Sequence, residues 1–402
     1  MKRLGWMLLL LATAVPAWSA KKITVGELTD TLKSMQQEKK SDADVSAALK
    51  QIQLTEQLTR NVMNSLSDCV PGPLSTEQLY VLEARSALLP PPSADIPATP
   101  APEAVAQKAL LDKTSEYLTK IYEQMPALSA TKTTLRFQDN VETVAASSGM
   151  HGSATDVSVG SAIVTASKFI HYINATESMV TSEHGAEKMP SAKDKTPWGA
   201  NKMIALQEPD PSAGEVFQEA QGAGTIKWLR WETVNGKTAA VFSFEVAKKK
   251  SHFNMNVCCF PDVDQTGTVH FSGMQRVGQS VGAAGSGSGP TGNLQTNTDW
   301  HNYKATVPYH GEFFIDPETG IVLRMITEAE LKPTDVVHQQ DTRIDYGPVT
   351  VGGKTMMLPV KLFVVSEVVP NGDSSAGSYS TRCTLFTAEY KNYQIAGATA
   401  QK

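Results

Sequence analysis

The sequence predicts an α+β fold, an N-terminal helical module packed on a large, mostly antiparallel, curved β-sheet forming an open half-barrel of about eleven strands. Three observations predict it. The apolar period is close to 3.6 residues as far as Met125 and becomes 2 after Thr131. Prolines crowd the stretch from Pro90 to Pro102 and separate the first helices from the rest of the chain. Further on, paired apolar runs flank the short turns Asn235-Gly236, Pro317-Glu318-Thr319-Gly320 and Gly352-Gly353. Short turns join antiparallel neighbours, whereas parallel strands need a long crossover.

Residues 1–19 come first in the order of elements. Lys2 and Arg3 precede an apolar run over 6–15, and Ala17-Trp18-Ser19 offers small residues at a cleavage position. This reads as a secretory signal peptide, too short to span a bilayer and without a cysteine to carry lipid. The expectation is an exported protein, periplasmic or extracellular, not lipid-anchored, with no transmembrane segment after cleavage.

Residues 20–89 form the helical module. Thr24 and Glu27 have the capping-box spacing and open a helix through Leu28, Leu32 and Met35. Ser41 to Asp44 cap a second, long helix whose apolar face runs Val45, Leu49, Ile52, Leu58, Val62, Leu66. Ser75 with Gln78 opens a third through Leu79, Leu82 and Leu88. Residues 90–102 are a proline-rich strap, which in the extended polyproline form rises about 3.1 Å per residue and spans roughly 40 Å. Residues 103–128 hold another helix, with Leu111, Leu118 and Met125 on one side and Leu110, Tyr117 and Ile121 beside them.

Residues 129–398 are the β domain. Leu135 and Phe137 share a face of its first strand. A run through Phe169, His171 and Ile173 turns near Asn174 and returns through Met179. Strands over 225–233 and 237–246 flank Asn235-Gly236, with Trp228 and Trp231 on opposite faces by strict alternation. Two more hairpins come next, and a last strand lies around 379–390. The Gly/Ser-rich stretch 278–298 has no apolar period and reads as a flexible loop.

Composition limits function more than it defines it. The chain has 36 Lys and Arg against 41 Asp and Glu; losing Lys2 and Arg3 with the signal leaves 34 against 41, a net of −7. Phosphate backbones demand clustered cations, so nucleic acid is excluded as a partner. Four cysteines, Cys69, Cys258, Cys259 and Cys383, are disulfide candidates with three possible pairings. No CxxC, HxxH or HExxH spacing is present, so no metal site and no cofactor are expected. Asp262, Asp264 and Gly267 match the opening of a calcium loop, but its twelfth position is Gly273 where a bidentate glutamate is required, and the segment reads as a turn. Ser286 and Ser288 lack the strand-to-helix elbow of a nucleophilic serine. Glu312, Asp316 and Glu318 gather at a hairpin, where carboxylates serve turn chemistry, and no catalytic residue is assigned. The aromatic set Trp228, Trp231, Phe242 and Phe244 is the candidate ligand-binding surface.

Several of these segments resemble an uncharacterised family of secreted acidobacterial proteins. They are the stretch 117–137 with Met125-Pro126-Ala127-Leu128 and Arg136-Phe137, the strap prolines Pro97, Pro100 and Pro102, residues 231–246, the hairpin 311–324, Asp345-Tyr346 and Leu358-Pro359. The strand count and the hairpin with Asp316 and Gly320 also resemble the lipoprotein-carrier (LolA-like) fold, an incomplete barrel whose helices cover an apolar concave face. That resemblance implies a protein that holds a lipid or lipidated peptide. The expectation is therefore a non-enzymatic envelope protein, acting by structural interaction with an envelope partner or by binding an apolar ligand. The alternative is a secreted hydrolase with a site assembled from scattered residues.

Overall fold

The computed structural model describes residues 21–138, 141–142, 166–167, 170–183, 185–188, 213–263, 269–270, 300–332, 337–368 and 383–396. The signal-peptide stretch 1–19, the 278–298 loop and residues 264–268 of the calcium-like turn lie outside them.

The helical module opens with β1 (Lys21–Ile23) and α1 (Val25–Gln37), followed by α2 (Asp42–Leu49), β2 (Ile52–Leu54), α3 (Arg60–Leu66) and α4 (Pro73–Ser86). Thr24 forms the capping box: its Oγ1 accepts from Glu27 N at 3.2 Å, and Glu27 Oε2 accepts from Thr24 N at 2.8 Å. At α4 the cap comes from another helix. Asp42 of α2 accepts from the backbone N–H groups of Leu74 (3.0 Å) and Ser75 (2.8 Å), placing a carboxylate on the positive end of the α4 dipole. Leu28, Leu32, Leu49, Leu66 and Leu79 close a core internal to the module.

One long helix over 45–66 does not form. α2 stops at Leu49, and Ile52–Leu54 is a strand paired in parallel with β1. Alternation wins locally: Ile52 and Leu54 are buried on either side of an exposed Gln53, and the pairing gives β1 its only ladder partner among the described residues.

After the strap, α5 (Ala104–Gln124) leads into β3 (Leu128–Gln138) and the short β4 (Val141–Glu142) and β5 (Ala166–Ser167). Then come β6 (His171–Glu183), β7 (Ala186–Glu187), α6 (Ala213–Ala223), β8 (Lys227–Val234) and β9 (Lys237–Val246). A small sheet of β10 (Asn254–Val263), β11 (Val269–His270) and β12 (Trp300–Thr306) has its own ladders, separate from those of the main sheet. The chain finishes with β13 (Tyr309–Ile315), β14 (Val322–Ala329), β15 (Val337–Val351), β16 (Lys354–Val368) and β17 (Cys383–Ile395).

The main sheet has ten strands in the order β7-β6-β3-β17-β16-β15-β14-β13-β9-β8 and does not close into a barrel. All its pairings are antiparallel. Asn235 and Gly236 take φ of 51° and 80°, as a type I′ turn requires, and Gly352 and Gly353 also have positive φ. The turn near Asn174 is absent. β6 runs straight through it along β3, and a register shift at Arg136 and Phe137 absorbs the irregularity.

Both faces of the sheet are covered by the chain's own helices. On one, Leu110 and Leu118 of α5 and Phe217 and Ala220 of α6 pack with Phe242, Phe244, Phe313 and Phe386. On the other, Val81, Ala84 and Ala87 from α4 and its end pack on Phe137, Phe363 and Leu385. Each fully buried Leu or Phe contributes about 1.5–3 kcal/mol over its exposed state. The strap takes the chain from the α4 face to the α5 face. Trp231 of the edge strand β8 donates from Nε1 to Pro100 O at 2.8 Å along the way. Among the described residues, no helix is long and apolar enough to cross a membrane.

Candidate functional site

A row of alternating charge crosses the α4 face of the sheet. Arg324 on β14, Asp345 on β15, Lys361 on β16 and Glu389 on β17 are successive cross-strand partners. All but Glu389 are buried. Asp345 lies between two guanidinium groups: Arg324 Nε at 2.6 Å from Oδ1, and Arg343 forked across both oxygens at 3.0 and 2.7 Å. Burial opposes its charge, but the two arginines outweigh burial and hold the carboxyl well below the usual carboxylate range. Burial also lowers Lys361, partly offset by Glu83.

The helical module completes this row from above. Glu83 accepts from Lys361 Nζ at 2.6 Å, and Arg60 reaches Glu83 at 3.3 Å and Glu389 at 2.7 Å. Arg343 Nη1 donates to Ala87 O at 3.0 Å, and Arg324 Nη1 to Gln57 Oε1 at 3.4 Å. Polar groups buried at such a junction demand partners of defined geometry, so the row fixes how the module sits on the sheet.

Beside this junction a cleft of about 400 Å³ opens between module, strap and the β8–β9 turn. Glu56, Arg60, Asp95, Thr233, Asn235 and Arg324 are among its lining, which includes no histidine or cysteine among the described residues. Glu56 Oε1 accepts from Val25 N at 2.8 Å. Burial pushes the Asp95 carboxyl up; Arg324 pulls it down and Glu56 pushes it further up. The cleft thus offers acceptors and donors of both charges, suited to hydrogen-bonding a polar segment.

The aromatic set predicted from sequence lies on the opposite face, and one expectation about it is corrected. Trp228 and Trp231 share a face. A β-bulge between Trp228 and Arg230 inserts one residue, so Trp228 faces Phe242 and Trp231 faces Ala240. Their rings meet edge-on at 4.9 Å, and Trp228 meets Phe242 at 5.5 Å. Phe242 and Phe244 are fully buried; Phe244 stacks on Phe313 at 4.4 Å, and Phe217 of α6 covers Phe313 at 5.2 Å. The same bulge turns Arg230 and Glu232 to the charged face, where Arg230 clasps Glu312 at 3.0 and 2.8 Å.

Asp316 accepts from the backbone of Glu318 (2.8 Å) and Thr319 (3.2 Å), the turn chemistry expected of it. Cys69 packs against the module core and Cys383 against the α4 face, and the two are not bonded to each other. The β10 backbone slips register between Val257 and Phe260, at Cys258 and Cys259, whose side chains lie outside the described residues. Sequence reasoning does not find Arg324, Arg343, Asp345, Lys361 and Glu83 as a group. No local spacing signals them, because the row exists only once four strands are in register. Compared with family models, with curated proteins and with solved structures, the chain matches none.

Proposed function

We propose that this chain is a non-enzymatic, exported envelope protein that works by interaction, taking a polar segment of a partner in the cleft between module, strap and β8–β9 turn. The observation that carries this reading is the occupancy of both apolar sheet faces by the chain's own helices. A sheet whose faces are filled has no need of a lipid to cover them, and the concavity beside the charged row is lined by Glu56, Arg60, Asp95 and Arg324 together with apolar side chains such as Val25 and Val62. Export rests on the sequence of residues 1–19.

A second reading is favoured by one feature of α5. Its buried stripe is thin, consisting of Leu110, Thr114 and Leu118 before Met125, and Thr114 is a polar group in the middle of the seam. An acyl chain would displace such a helix more readily than one anchored by a broad apolar face. Native mass spectrometry of the purified full chain separates the two readings. The interaction reading expects the bare polypeptide mass, and a stoichiometric lipid adduct would replace it with the carrier reading.

A further inference from the structure

We propose that Glu215, Glu219 and His252 form a binding site for a divalent transition-metal ion of the zinc class, clamping α6 to the start of β10. Glu215 and Glu219 are one helical turn apart and project from the same side of α6. His252 arrives from the link between the Lys248–Lys250 turn and β10, 33 residues beyond Glu219. Donor atoms of the three side chains all lie within 4.8 Å of one another. Zinc bonds to imidazole nitrogen and carboxylate oxygen are about 2.0–2.2 Å long, which puts donors on one tetrahedral ion roughly 3.4 Å apart, so small side-chain rotations that draw Glu215 in and open the His252–Glu219 contact bring all three onto one ion.

Two features of the surroundings fit a ligand set. Glu219 is nearly buried and already aimed. Its carboxylate accepts from His252 N–H at 3.0 and 3.2 Å and from Tyr309 Oη at 2.8 Å. The Tyr309 hydroxyl, through that hydrogen bond, is the outer donor that orients a ligating carboxylate. His252 Nδ1 also sits in close contact with Glu219 Oε1. The imidazole and the carboxylate thus already face each other at the site. Glu215 and His252 are exposed, which leaves the remaining coordination positions to water. One nitrogen and two carboxylate donors without a thiolate select zinc or manganese over copper(I). The lysine two residues before His252 is committed elsewhere, since Lys250 Nζ donates to Gly222 O at 2.7 Å.

The test is calorimetric titration of the chelator-treated full chain with zinc chloride, with magnesium chloride as control and thermal melts run alongside. Zinc is expected to bind and to raise the melting temperature, and magnesium to give no comparable heat. His252→Ala and Glu215→Gln, each checked for native circular dichroism, are each expected to weaken zinc binding by about tenfold or more. The two exposed substitutions act independently, so one misfolded variant leaves the other to decide. Absence of zinc binding by the wild-type chain, or affinity unchanged in a folded variant, would overturn the site.

Discussion

Asp341 and Asp345 stand on the same face of β15, four residues apart, and their carboxyls are driven in opposite directions. Asp345 has a guanidinium on each side and stays ionised far into acid. Asp341 is buried opposite Glu328, its cross-strand partner, and burial pushes its carboxyl up to about 6, with Gln339 and His310 pulling it down and Glu328 adding to the rise. A carboxyl whose folded value exceeds its unfolded value binds its proton more tightly in the folded state. Its contribution to stability is therefore complete below about pH 4 and is lost as pH rises through 6. His310, raised chiefly by its hydrogen bond to Glu328, loses its contribution in the same direction as pH rises. Asp341→Asn should remove the aspartate's share, on the order of 2–3 kcal/mol across that window. Urea unfolding at several pH values between about 4 and 7.5 would show the wild type losing ground to the variant. Parallel curves would mean that Asp341 is solvated in the folded chain.

At the scale of elements, the strap is held by few bonds. Gln57 N donates to Pro90 O at 2.8 Å near its start, Trp231 holds Pro100, and Gln107 Nε2 donates to Pro102 O at 2.7 Å at its end. Trp231→Phe keeps an aromatic ring beside Trp228 but removes the donor. It should cost about 1 kcal/mol and speed proteolytic cutting within 90–102, with the rest of the protection pattern unchanged. Cutting at the wild-type rate would show that the strap is fastened by its other contacts. The caps at Thr24 and Ser41 and the hairpin turns at Asn235 and Gly352 are legible in the sequence, because each is written in a few adjacent residues whose backbone preferences admit few alternatives. The bulge after Trp228 is not, since a single inserted residue leaves composition and apolar content untouched while exchanging the faces of everything beyond it. The charged row is hidden for a different reason. Arg324 to Glu389 spans four strands, and their alignment is a property of the sheet. Likewise, Glu215 and Glu219 show the helical spacing, but nothing local announces that His252 joins them.

At the scale of the whole molecule, β17 lies between β16 and β3. One of its edges pairs with β16 over Cys383 to Glu389, the other with β3 from Gln138 to Leu128. The other strands of the main sheet fall into two groups, β3 with β6 and β7, and β8 and β9 with β13 to β16. Among the described residues, no ladder joins the groups except through β17. A chain ending at Val368 should fail to unfold cooperatively and should bind hydrophobic dye, because two long central edges would be left bare. A sharp thermal transition in that fragment would mean that the two groups find each other without it. The same arrangement sets a clock on assembly. The seam of the sheet is supplied by β17, the last strand of the main sheet in chain order, so until it is in place the sheet exists as two unjoined halves with their edges unpaired. Pairing β3 with β17 joins segments separated by most of the β domain, and such closure is slow to find. Completion of the sheet is thereby tied to the docking of β17, and a chain cut before Cys383 keeps both central edges open.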